Sequence, residues 1–432
     1  MRFWGITGTN GKTTTTWIAA EFINADPARK CGYVTTVEVN TGSRQFYTGY
    51  TTPPLKQLKE IFAEMEANGC TDCVMEVSSH AIHQHRTGDT VFSGGVFTNL
   101  SEDHLDYHKT MEAYFDVKLD FARQIAAARW GGLSTGEAAA KRPLECCVPP
   151  PQLGRRDFPP YVVCLDGGYG REMFNAVGNL AVNVIPVSID GNRGQSTAFD
   201  LSGLQLAGDY NKSNVLCAAA LAEAAGVPHE TIQAVIPTLK PRWGRLELVE
   251  NPAVRAKVYV DFAHTPDGLE KVLTAVRAEM IANHKPSNPQ TLEPSNPRTL
   301  KPSNPSLWVV FGAGGDRDPM KRPLMGAACA KLADRLVVTS DNPRNEDPMA
   351  IIEAIMAGIG EREAGDRVAV EPDRKMAIEY ALREADEGDV VVIAGKGHET
   401  TQEIKGVKHP FDDREIVRNF VGQDKAKGEN GK

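Results

Sequence analysis

The sequence predicts an α/β protein built on parallel sheets and divided into two domains. Short apolar runs typical of buried strands alternate with stretches of helical periodicity along most of the 432 residues. Strands that alternate with helices favour parallel pairing with right-handed crossovers. A cluster of helix-breaking residues, PRWGR at 241–245, interrupts the pattern. We therefore predict one domain over residues 1–240 and a second, smaller domain over residues 241–432.

The first strand and helix enclose a glycine-rich loop, GITGTNGKTT at residues 5–14. Gly8 and Gly11 allow the backbone to wrap closely around an anion, with N–H groups pointing inward. Lys12 would place a positive charge on the β- and γ-phosphates of a nucleotide, and Thr13 a hydroxyl on Mg²⁺. The strict P-loop pattern fails by one residue, because Ile6 occupies the place of the first glycine. Gly-Lys-Thr between a strand and a helix nevertheless favours a phosphate site over an ordinary turn.

Composition and charge limit the class of protein. The net charge is −8, with 41% hydrophobic and 24% charged residues, which argues against a nucleic-acid-binding protein. No run of 18 apolar residues exists, so we expect no membrane span and a cytoplasmic enzyme of small molecules. The phosphate loop follows Met1 so closely that no signal peptide is expected. A single C-x2-C pair among eight cysteines predicts buried thiols rather than zinc.

Further elements follow from hydrophobic periodicity. In the first domain we predict strands over 2–6, 31–39, 73–77 and 94–100, and helices over 14–23, 55–68, 110–128 and the later part of 204–225. In the second domain we predict strands over 258–262, 307–311, 335–339 and 390–394, and a helix over 268–282. Residues 130–160 are weakly patterned and are interpreted as a surface excursion. A Pro-rich repeat at 285–306 is interpreted as an extended insertion of no assigned function.

Charged residues follow the predicted strands of the first domain. Glu76 ends an apolar run, His104 follows the next strand, and Lys118 lies within a helix. Each has an ordinary interpretation, such as a surface lysine or a histidine with its hydrogen bonds satisfied; Asp103 would simply be a helix N-cap. Because ligands gather at the carboxyl ends of parallel strands, we instead expect a cation site beside the phosphate loop.

Ordered motifs from residue 5 to about 415 resemble the Mur ligases of peptidoglycan synthesis. They are GITGTNGKTTT, TTP, MEVSSHAIHQHR, FTNLSEDHLDYH, YFDVK, GRLE, DFAHTPD, GAGGDRD, KRP, DNPRNEDP and GKGHET. The resemblance implies a P-loop ATPase domain followed by a dinucleotide-binding-like domain, with ATP between them. It implies an ATP-dependent amide ligase that forms ADP through an acyl phosphate, with UDP-N-acetylmuramoyl-L-alanyl-D-glutamate as one substrate. We expect a monomer with no nucleic-acid partner.

The resemblance also implies roles for individual residues. The ATP contacts would be Gly8, Thr9, Asn10, Gly11, Lys12, Thr13, Thr14, Asn99, Arg245 and Asp261. Thr13 and Glu76 would hold a first Mg²⁺, and His104 would serve a second cation. Lys118 would be a carbamylated lysine that offers an oxygen ligand, since a bare ammonium would repel the cation. The muramoyl-peptide contacts would be Thr51, Thr52, Ser78, Gln84 and Arg86. Lys12, Lys118 and His264 would lie nearest the chemistry.

The run Asp341-Asn342-Pro343-Arg344 indicates which amino acid is added. In the family this run accompanies meso-diaminopimelate, whereas lysine-adding members lack the arginine. A guanidinium can grip the second carboxylate of diaminopimelate bidentately. The amino-acid contacts implied by the resemblance are Arg317, Asp341, Asn342, Arg344, Gly395 and Glu399, the last pairing with an ammonium.

Two departures from the family pattern leave alternatives open. Only four residues precede Gly5, whereas family members carry a UDP-binding domain there, which we interpret as a start codon placed too late or a two-domain ligase. Phe262 and Trp243 replace a tyrosine and a proline. The alternatives are a ligase that adds lysine, a folylpolyglutamate synthase, a cyanophycin synthetase, a murein-peptide recycling ligase, or a non-catalytic nucleotide-binding homologue.

Overall fold

The computed structural model describes residues 1–128, 158–191, 199–283, 305–360 and 365–422. These residues form two compact units, Met1–Lys240 and Pro241–Lys432. The prediction of α/β architecture with mainly parallel sheets is confirmed in both units. Most of the Pro-rich repeat and of the excursion at 130–160 lies outside the described residues. No helix in the described ranges is long and apolar enough to cross a membrane.

The first unit contains an eight-stranded sheet in the order β4-β3-β2-β5-β1-β6-β7-β8. Its strands are β1 (Arg2–Thr7), β2 (Cys31–Val34), β3 (Val39–Asn40), β4 (Gln45–Phe46), β5 (Asp72–Glu76), β6 (Phe92–Phe97), β7 (Pro160–Cys164) and β8 (Asn183–Val187). Its helices are α1 (Lys12–Asn24), α2 (Leu55–Ala67), α3 (Ser79–His83), α4 (Leu105–His108), α5 (Met111–Ala128), α6 (Gly170–Val177), α7 (Asp209–Ala224) and α8 (His229–Val235), with a 3₁₀ turn at Ile236–Thr238.

The second unit contains a six-stranded sheet in the order β13-β12-β11-β14-β10-β9 and a separate β15-β16 hairpin. Its strands are β9 (Glu247–Leu248), β10 (Lys257–Asp261), β11 (Leu307–Phe311), β12 (Arg335–Val338), β13 (Val368–Val370), β14 (Val390–Ala394), β15 (Thr401–Ile404) and β16 (Val407–Pro410). Its helices are α9 (Pro266–Asn283), α10 (Lys321–Leu332), α11 (Pro348–Ile359), α12 (Arg374–Glu384) and α13 (Asp413–Asn419), with a 3₁₀ turn at Gly365–Arg367.

Register in the two sheets places the candidate loops at one edge of each. In the first sheet Ile6 pairs with Glu76, and Thr7 pairs with Phe97. The phosphate loop, the acid of β5 and the segment after β6 therefore emerge side by side. In the second sheet Asp261 pairs with Ala394, so the segments after β10 and β14 do the same. Polar groups at such an edge can converge on one ligand.

Apolar residues of the central strands form the core of each unit. Phe92, Phe97 and Tyr161 pack in the first unit against Phe121 of α5. Val260 and Val391 occupy the second core, which α12 and α13 cover. Each fully buried side chain of this size contributes about 1.5–3 kcal/mol relative to exposure, so these cores set the positions of the loops at the sheet edges.

Two predicted strands end earlier than expected. The strand predicted over 31–39 stops at Val34, because Thr35 forms a tight turn in which its Oγ1 accepts the N–H groups of Val37 and Glu38 at 3.2 and 2.9 Å. The strand predicted over 94–100 stops at Phe97. The next two residues, Thr98 and Asn99, instead bind the phosphate loop.

The prediction of parallel pairing is wrong at the sheet margins, and several elements were not predicted. β3 and β4 pair antiparallel with their neighbours, and so does β9. The helix predicted from Thr14 begins at Lys12, directly after Gly11, whose φ of 83° is left-handed. β7 begins at Pro160, at the end of the supposed excursion. β8, β13 and the β15-β16 hairpin were also not predicted.

Candidate functional site

The phosphate loop is a left-handed turn that ends at the N-terminus of α1. Gly8 has φ 145° and Gly11 has φ 83°, conformations that side chains rarely adopt. A Cβ on Gly8 would come within 2.0 Å of Thr98 Oγ1. Lys12 Nζ donates to the carbonyls of Gly8 and Thr9 at 3.1 and 2.7 Å. Because Gly11 has no side chain with which to cap the helix, the first N–H groups of α1 are suited to an anion.

Asn99 joins the segment after β6 to this loop by three hydrogen bonds. Its carbonyl accepts the N–H of Thr9 at 2.9 Å. Its side chain accepts the N–H of Asn10 at 3.0 Å and donates to the carbonyl of Asn10 at 3.0 Å. Thr98 adds a fourth bond, from Oγ1 to the same carbonyl at 2.7 Å. The residue predicted to contact ATP therefore also fixes the shape of the loop.

Lys118 of α5 also contacts the phosphate loop. It is fully buried, and its Nζ donates to Gly8 O at 2.8 Å and to Thr7 Oγ1 at 3.2 Å. Burial lowers the pKa of Lys118 well below that of an ordinary lysine, and the charge of Lys12 acts in the same direction. A lysine of this kind can be a neutral, nucleophilic amine near neutral pH.

Glu76 is connected to the predicted muramoyl-peptide residues. Its carboxylate accepts the N–H of Thr36 at 2.8 Å and the Thr36 hydroxyl at 3.3 Å. That hydroxyl lies 2.9 Å from Thr51 Oγ1. Thr52 Oγ1 donates to the carbonyl of Glu76 at 2.8 Å and accepts the N–H of Ser78 at 3.1 Å. The loops after β2 and β5 are thereby connected through hydroxyl groups.

Two further predicted residues extend this network toward solvent. Arg86 Nη1 donates to the carbonyl of Thr52 at 3.2 Å. Its Nε and Nη2 both donate to Gln84 Oε1, at 2.9 and 2.7 Å. The structure therefore brings all five predicted muramoyl-peptide residues into one hydrogen-bonded group with Glu76. Thr36, the residue that connects Glu76 to Thr51, was missed because a threonine inside an apolar run resembles an ordinary strand residue.

His104 lies beside Asp103 and a group of other aromatic rings. Its φ is 55°, and its Nε2 is 3.4 Å from Asp103 Oδ2. The ring of His80 is edge-on to it, with centroids 4.9 Å apart. Partial burial lowers the pKa of His104 to about 4; Asp103 opposes this effect, and the positive charges of Lys12 and Lys118 add to it. The ordinary interpretation of Asp103 as a helix N-cap does not hold for α4, where His104 occupies that position.

The donor groups around the loop fit Mg²⁺ only in part. Thr13 and Glu76 offer the oxygen ligands that Mg²⁺ prefers, whereas His104 offers a nitrogen, which Mg²⁺ accepts less readily. Among the described residues, no three His, Cys, Asp or Glu side chains form a ready-made metal cluster. Mg²⁺ is commonly held by one or two protein carboxylates together with substrate phosphates and water.

In the second unit, Asp261 ends β10 and orders the turn that carries Arg245. Its two oxygens accept the N–H of Ala263 at 2.7 Å and of Leu246 at 2.6 Å. Burial raises the pKa of Asp261, and the charge of Arg245 opposes that rise. The Arg245 guanidinium lies 4.5 Å from the ring centroid of Phe262. Phe262 therefore provides a cation–π surface in place of the family's tyrosine.

His264 follows the same strand. Its Nδ1 lies 2.9 Å from the carbonyl oxygen of Phe262. Since a carbonyl only accepts hydrogen bonds, Nδ1 carries the proton, and Nε2 is the basic nitrogen of the neutral ring. His264 is therefore held in a defined tautomer.

The predicted amino-acid contacts converge on the loops after β12 and β14. A Cβ on Gly395 would come within 2.5 Å of Asp341 Oδ2. Asn342 Nδ2 donates to Glu399 Oε2 at 2.9 Å. Asp341, Asn342, Gly395 and Glu399 thus form one group.

Arg344 borders this group and is held by its backbone and its side chain. It has φ 51°, and its N–H donates to the carbonyl of Glu403 at 3.0 Å. Its Nη1 donates to Gly315 O at 2.6 Å, and its Nε is 3.6 Å from Glu403 Oε2. Arg317 is exposed and donates to its own neighbour, Asp316. Both arginines border Gly314, where a Cβ would meet Arg344 Nη1 at 3.0 Å and Arg317 Cγ at 3.7 Å.

The fold and the glycine-rich loop define a P-loop α/β protein. Residues 6–129 match the Mur ligase middle domain, and residues 294–397 match the Mur ligase glutamate ligase domain. A relative from Synechococcus elongatus, named UDP-N-acetylmuramoyl-L-alanyl-D-glutamate–2,6-diaminopimelate ligase, is 38% identical over 97% of this chain and 76% of its own. A relative of the same name from Geobacillus kaustophilus is 36% identical over 96% of this chain and 78% of its own.

A solved structure of a ligase with that name aligns with a TM-score of 0.54 at 30% identity, covering 96% of this chain and 77% of the other. The chain therefore belongs to the Mur ligase family, as its motifs predicted. Mur ligases are ATP-dependent, amide-forming enzymes, and the chain is assigned to that enzyme class.

Proposed function

We propose that this protein joins meso-diaminopimelate to UDP-N-acetylmuramoyl-L-alanyl-D-glutamate with the hydrolysis of ATP to ADP. The observation that carries the proposal is Arg344, a guanidinium held by Gly315 O at 2.6 Å two residues after Asn342, which donates to Glu399 Oε2 at 2.9 Å. A guanidinium and a carboxylate on the loops after β12 and β14 suit a substrate that carries both a carboxylate and an ammonium at its distal end. Relatives 34–38% identical to this chain carry that activity in their names.

The first unit would bind ATP and the muramoyl-peptide. The N-terminus of α1 and the charge of Lys12 suit the β- and γ-phosphates, with Thr13 and Glu76 as ligands of Mg²⁺. When bound, the cation would neutralise phosphate charge. The group that contains Thr51, Thr52, Ser78, Gln84 and Arg86 would bind the muramoyl-peptide beside Glu76. Arg245 and Asp261 of the second unit are proposed as further ATP contacts.

We propose that Lys118 carries a carbamate. The support is its complete burial and a pKa lowered first by that burial and then by Lys12. A neutral amine can attack CO₂, and the resulting carbamate supplies an oxygen ligand where the bare ammonium would repel a cation. The carbamate would also remove the repulsion between two lysines that both approach Gly8 O.

The reaction would proceed in two displacements. The γ-carboxylate of the D-glutamyl residue attacks the γ-phosphorus of ATP, and the bond from that phosphorus to the β–γ bridging oxygen breaks. ADP departs, and the D-glutamyl residue becomes an acyl phosphate. The amine of diaminopimelate then attacks the acyl carbon and loses a proton, and inorganic phosphate leaves. The residues of this chain would serve mainly to reduce the repulsion among several anions and to align the amine. His264, with Nε2 as its basic nitrogen, is the candidate for the group nearest the departing proton.

The test is phosphate release by the purified chain with ATP, Mg²⁺ and UDP-muramoyl-dipeptide, comparing meso-diaminopimelate with lysine. We expect phosphate release that requires ATP, Mg²⁺, UDP-muramoyl-dipeptide and an amino acid. It should be faster with meso-diaminopimelate than with lysine. Equal release with lysine, or release with a folate and glutamate in their place, would overturn the assignment. A Lys12→Ala variant, expected to be inactive, controls for contaminating ATPase activity.

A further inference from the structure

Lys396 is a buried lysine in the loop after β14 to which the proposed reaction gives no role. Its side chain is 0% exposed, although a lysine is rarely fully buried unless it is paired. It lies between Gly395 and Gly397, whose φ values are 115° and 52°. The backbone therefore turns sharply on both sides of a charge that has been removed from water. Such a residue requires a specific set of partners.

The partners of Lys396 are two predicted amino-acid contacts. Its Nζ donates to Glu399 Oε2 at 2.8 Å and to Asn342 Oδ1 at 3.1 Å. Asn342 in turn donates from Nδ2 to the same Glu399 oxygen at 2.9 Å. The three side chains form a closed triangle of hydrogen bonds. Within it, the orientation of each group depends on the other two.

The triangle uses only one of the two oxygens of Glu399. In the described part of the chain, both hydrogen bonds to this carboxylate end on Oε2, and none ends on Oε1. The Glu399 side chain keeps 32% of its surface exposed. One oxygen is thus fixed to the protein, and the other is left for a cation from solution.

The charges around Lys396 leave one net negative charge for a ligand. Arg374 is paired with Asp413 by two hydrogen bonds of 2.9 and 2.8 Å. The charges of these two side chains therefore neutralise each other. Lys396 then faces two carboxylates, those of Glu399 and Asp341. Burial tends to raise the pKa of Asp341, but the positive charges of Lys396 and Arg374 hold it below its ordinary value. The carboxylate of Asp341 can therefore stay ionised despite its burial.

We propose that Lys396 is a positioning residue for the amino-acid substrate. With Asn342, it locks Glu399 by Oε2, so that Oε1 receives the ammonium of the incoming amino acid in a fixed place. The inference rests on the proposed function, since it requires an amino-acid substrate with an ammonium at Glu399. A lysine that served only the stability of the loop would affect every kinetic constant together.

The test is a double-mutant cycle with Lys396→Met and Glu399→Gln, following KM for diaminopimelate, KM for ATP and kcat. We expect Lys396→Met to raise KM for diaminopimelate about tenfold or more, the scale of a hydrogen bond to a charged group. KM for ATP should change less than about twofold. In the Glu399→Gln background, Lys396→Met should add less than about twofold, because the group it positions is already changed. Lys331→Met, which removes an exposed pair with Glu270, is the matched control and should change nothing.

A second variant covers the case in which Lys396→Met fails to fold. Asn342→Leu keeps the lysine but removes the other bond to Glu399 Oε2, and should raise KM for diaminopimelate selectively in the same way. An unchanged KM in either folded variant, or additive effects in the cycle, overturns the inference while leaving the proposed function intact. If the wild-type protein does not use diaminopimelate, the proposed function and this inference both fall.

Discussion

Gly244 and Gly397 pack backbone against backbone in the second unit. A Cβ on Gly244 would lie 2.2 Å from the carbonyl carbon of Gly397, and both residues have left-handed φ values, 61° and 52°. Gly244 precedes Arg245, a predicted ATP contact, and Gly397 lies in the loop that carries Glu399. Two candidate loops that are about 150 residues apart in sequence are thus in direct contact.

Gly244→Ala should therefore damage both candidate loops of the second unit. The backbone strain alone should cost about 1 kcal/mol, and the clash with Gly397 should add to it. We expect a fall in Tm of more than about 2 °C, since about 1 kcal/mol lowers Tm by about 2–4 °C in proteins of roughly 150–250 residues. The ratio kcat/KM should fall for both ATP and diaminopimelate.

Gly406→Ala is the control for that experiment. Gly406 has φ 76°, and nothing lies within 4 Å of its Cβ position, so this variant introduces the strain without the clash. It should lose less stability than Gly244→Ala and keep near-normal activity. Equal losses in the two variants would show that the contact between Gly244 and Gly397 is unimportant.

Arg344→Ala should weaken the use of diaminopimelate far more than that of ATP. Arg344 has φ 51°, so alanine introduces no backbone strain that arginine does not already carry. Loss of a charged bidentate contact should raise KM for diaminopimelate at least tenfold, on the scale of about 1.5–3 kcal/mol for such a hydrogen bond. Steady-state kinetics with each substrate varied in turn would measure both constants.

The exposed Arg383 of α12 provides the matched control, as Arg383→Ala. If Arg344→Ala raised KM for ATP as much as KM for diaminopimelate, the assignment of Arg344 as a diaminopimelate contact would be contradicted. Selective loss would also separate the diaminopimelate assignment from a ligase that adds lysine, which needs no guanidinium at this point.

Lys118→Ala should abolish turnover. The proposed cause, loss of a carbamate on Lys118, can be tested by a measurement that does not depend on enzyme activity. Because burial and then Lys12 lower the pKa of Lys118, its amine should react with CO₂ near neutral pH. Wild-type protein in ¹³C-bicarbonate should show a carbamate carbon signal in NMR that Lys118→Ala lacks. Lys331→Ala, at an exposed position, should keep the signal. If the wild-type protein were fully active but showed no carbamate carbon signal, carbamylation of Lys118 would be contradicted.

From the sequence, candidate residues could be placed at the ends of strands, but the contacts among them could not be predicted. Glu76, Asn99 and Asp261 could be placed at the ends of strands because an acid or amide after an apolar run marks a parallel strand's end. The bonds from Asn99 to the phosphate loop span 89 residues, and no local pattern reports such a distance. Thr36 and Lys396 were missed for that reason, since their environment is made by other loops.

The strands that were not predicted lack a clear alternation of apolar and polar residues in their own sequence. Every residue of β16 is exposed, and β15 pairs only with β16 in its sheet, so neither strand has an apolar face to mark it. β7 has a buried run, YVVC, but it begins at a proline beside a weakly patterned segment. In β8, four of five residues are only partly buried. These strands depend on sheet neighbours far away in sequence.

Half-buried His398 should make the second unit less stable as the pH falls. Burial lowers the pKa of His398 to about 3, and Arg245 and Arg414 act in the same direction, whereas an unfolded histidine titrates near 6.5. Between these values the unfolded chain binds a proton that the folded chain does not. The contribution of His398 to the free energy of unfolding is therefore highest above about pH 6.5. It falls as the pH is lowered toward 3, with a slope of at most about 1.4 kcal/mol per pH unit.

His398→Asn should flatten this dependence, because asparagine does not titrate. Denaturant unfolding of wild-type and variant protein at pH 7.5, 6 and 5 would measure the free energy of unfolding in each case. We expect the difference between them to shrink as the pH falls, even if the variant is less stable at pH 7.5. His409→Asn, at an exposed position in β16, should leave the slope unchanged. Parallel curves for wild type and His398→Asn would mean that His398 takes up its proton as readily in the folded protein as in the unfolded chain, and its burial could then not explain acid sensitivity.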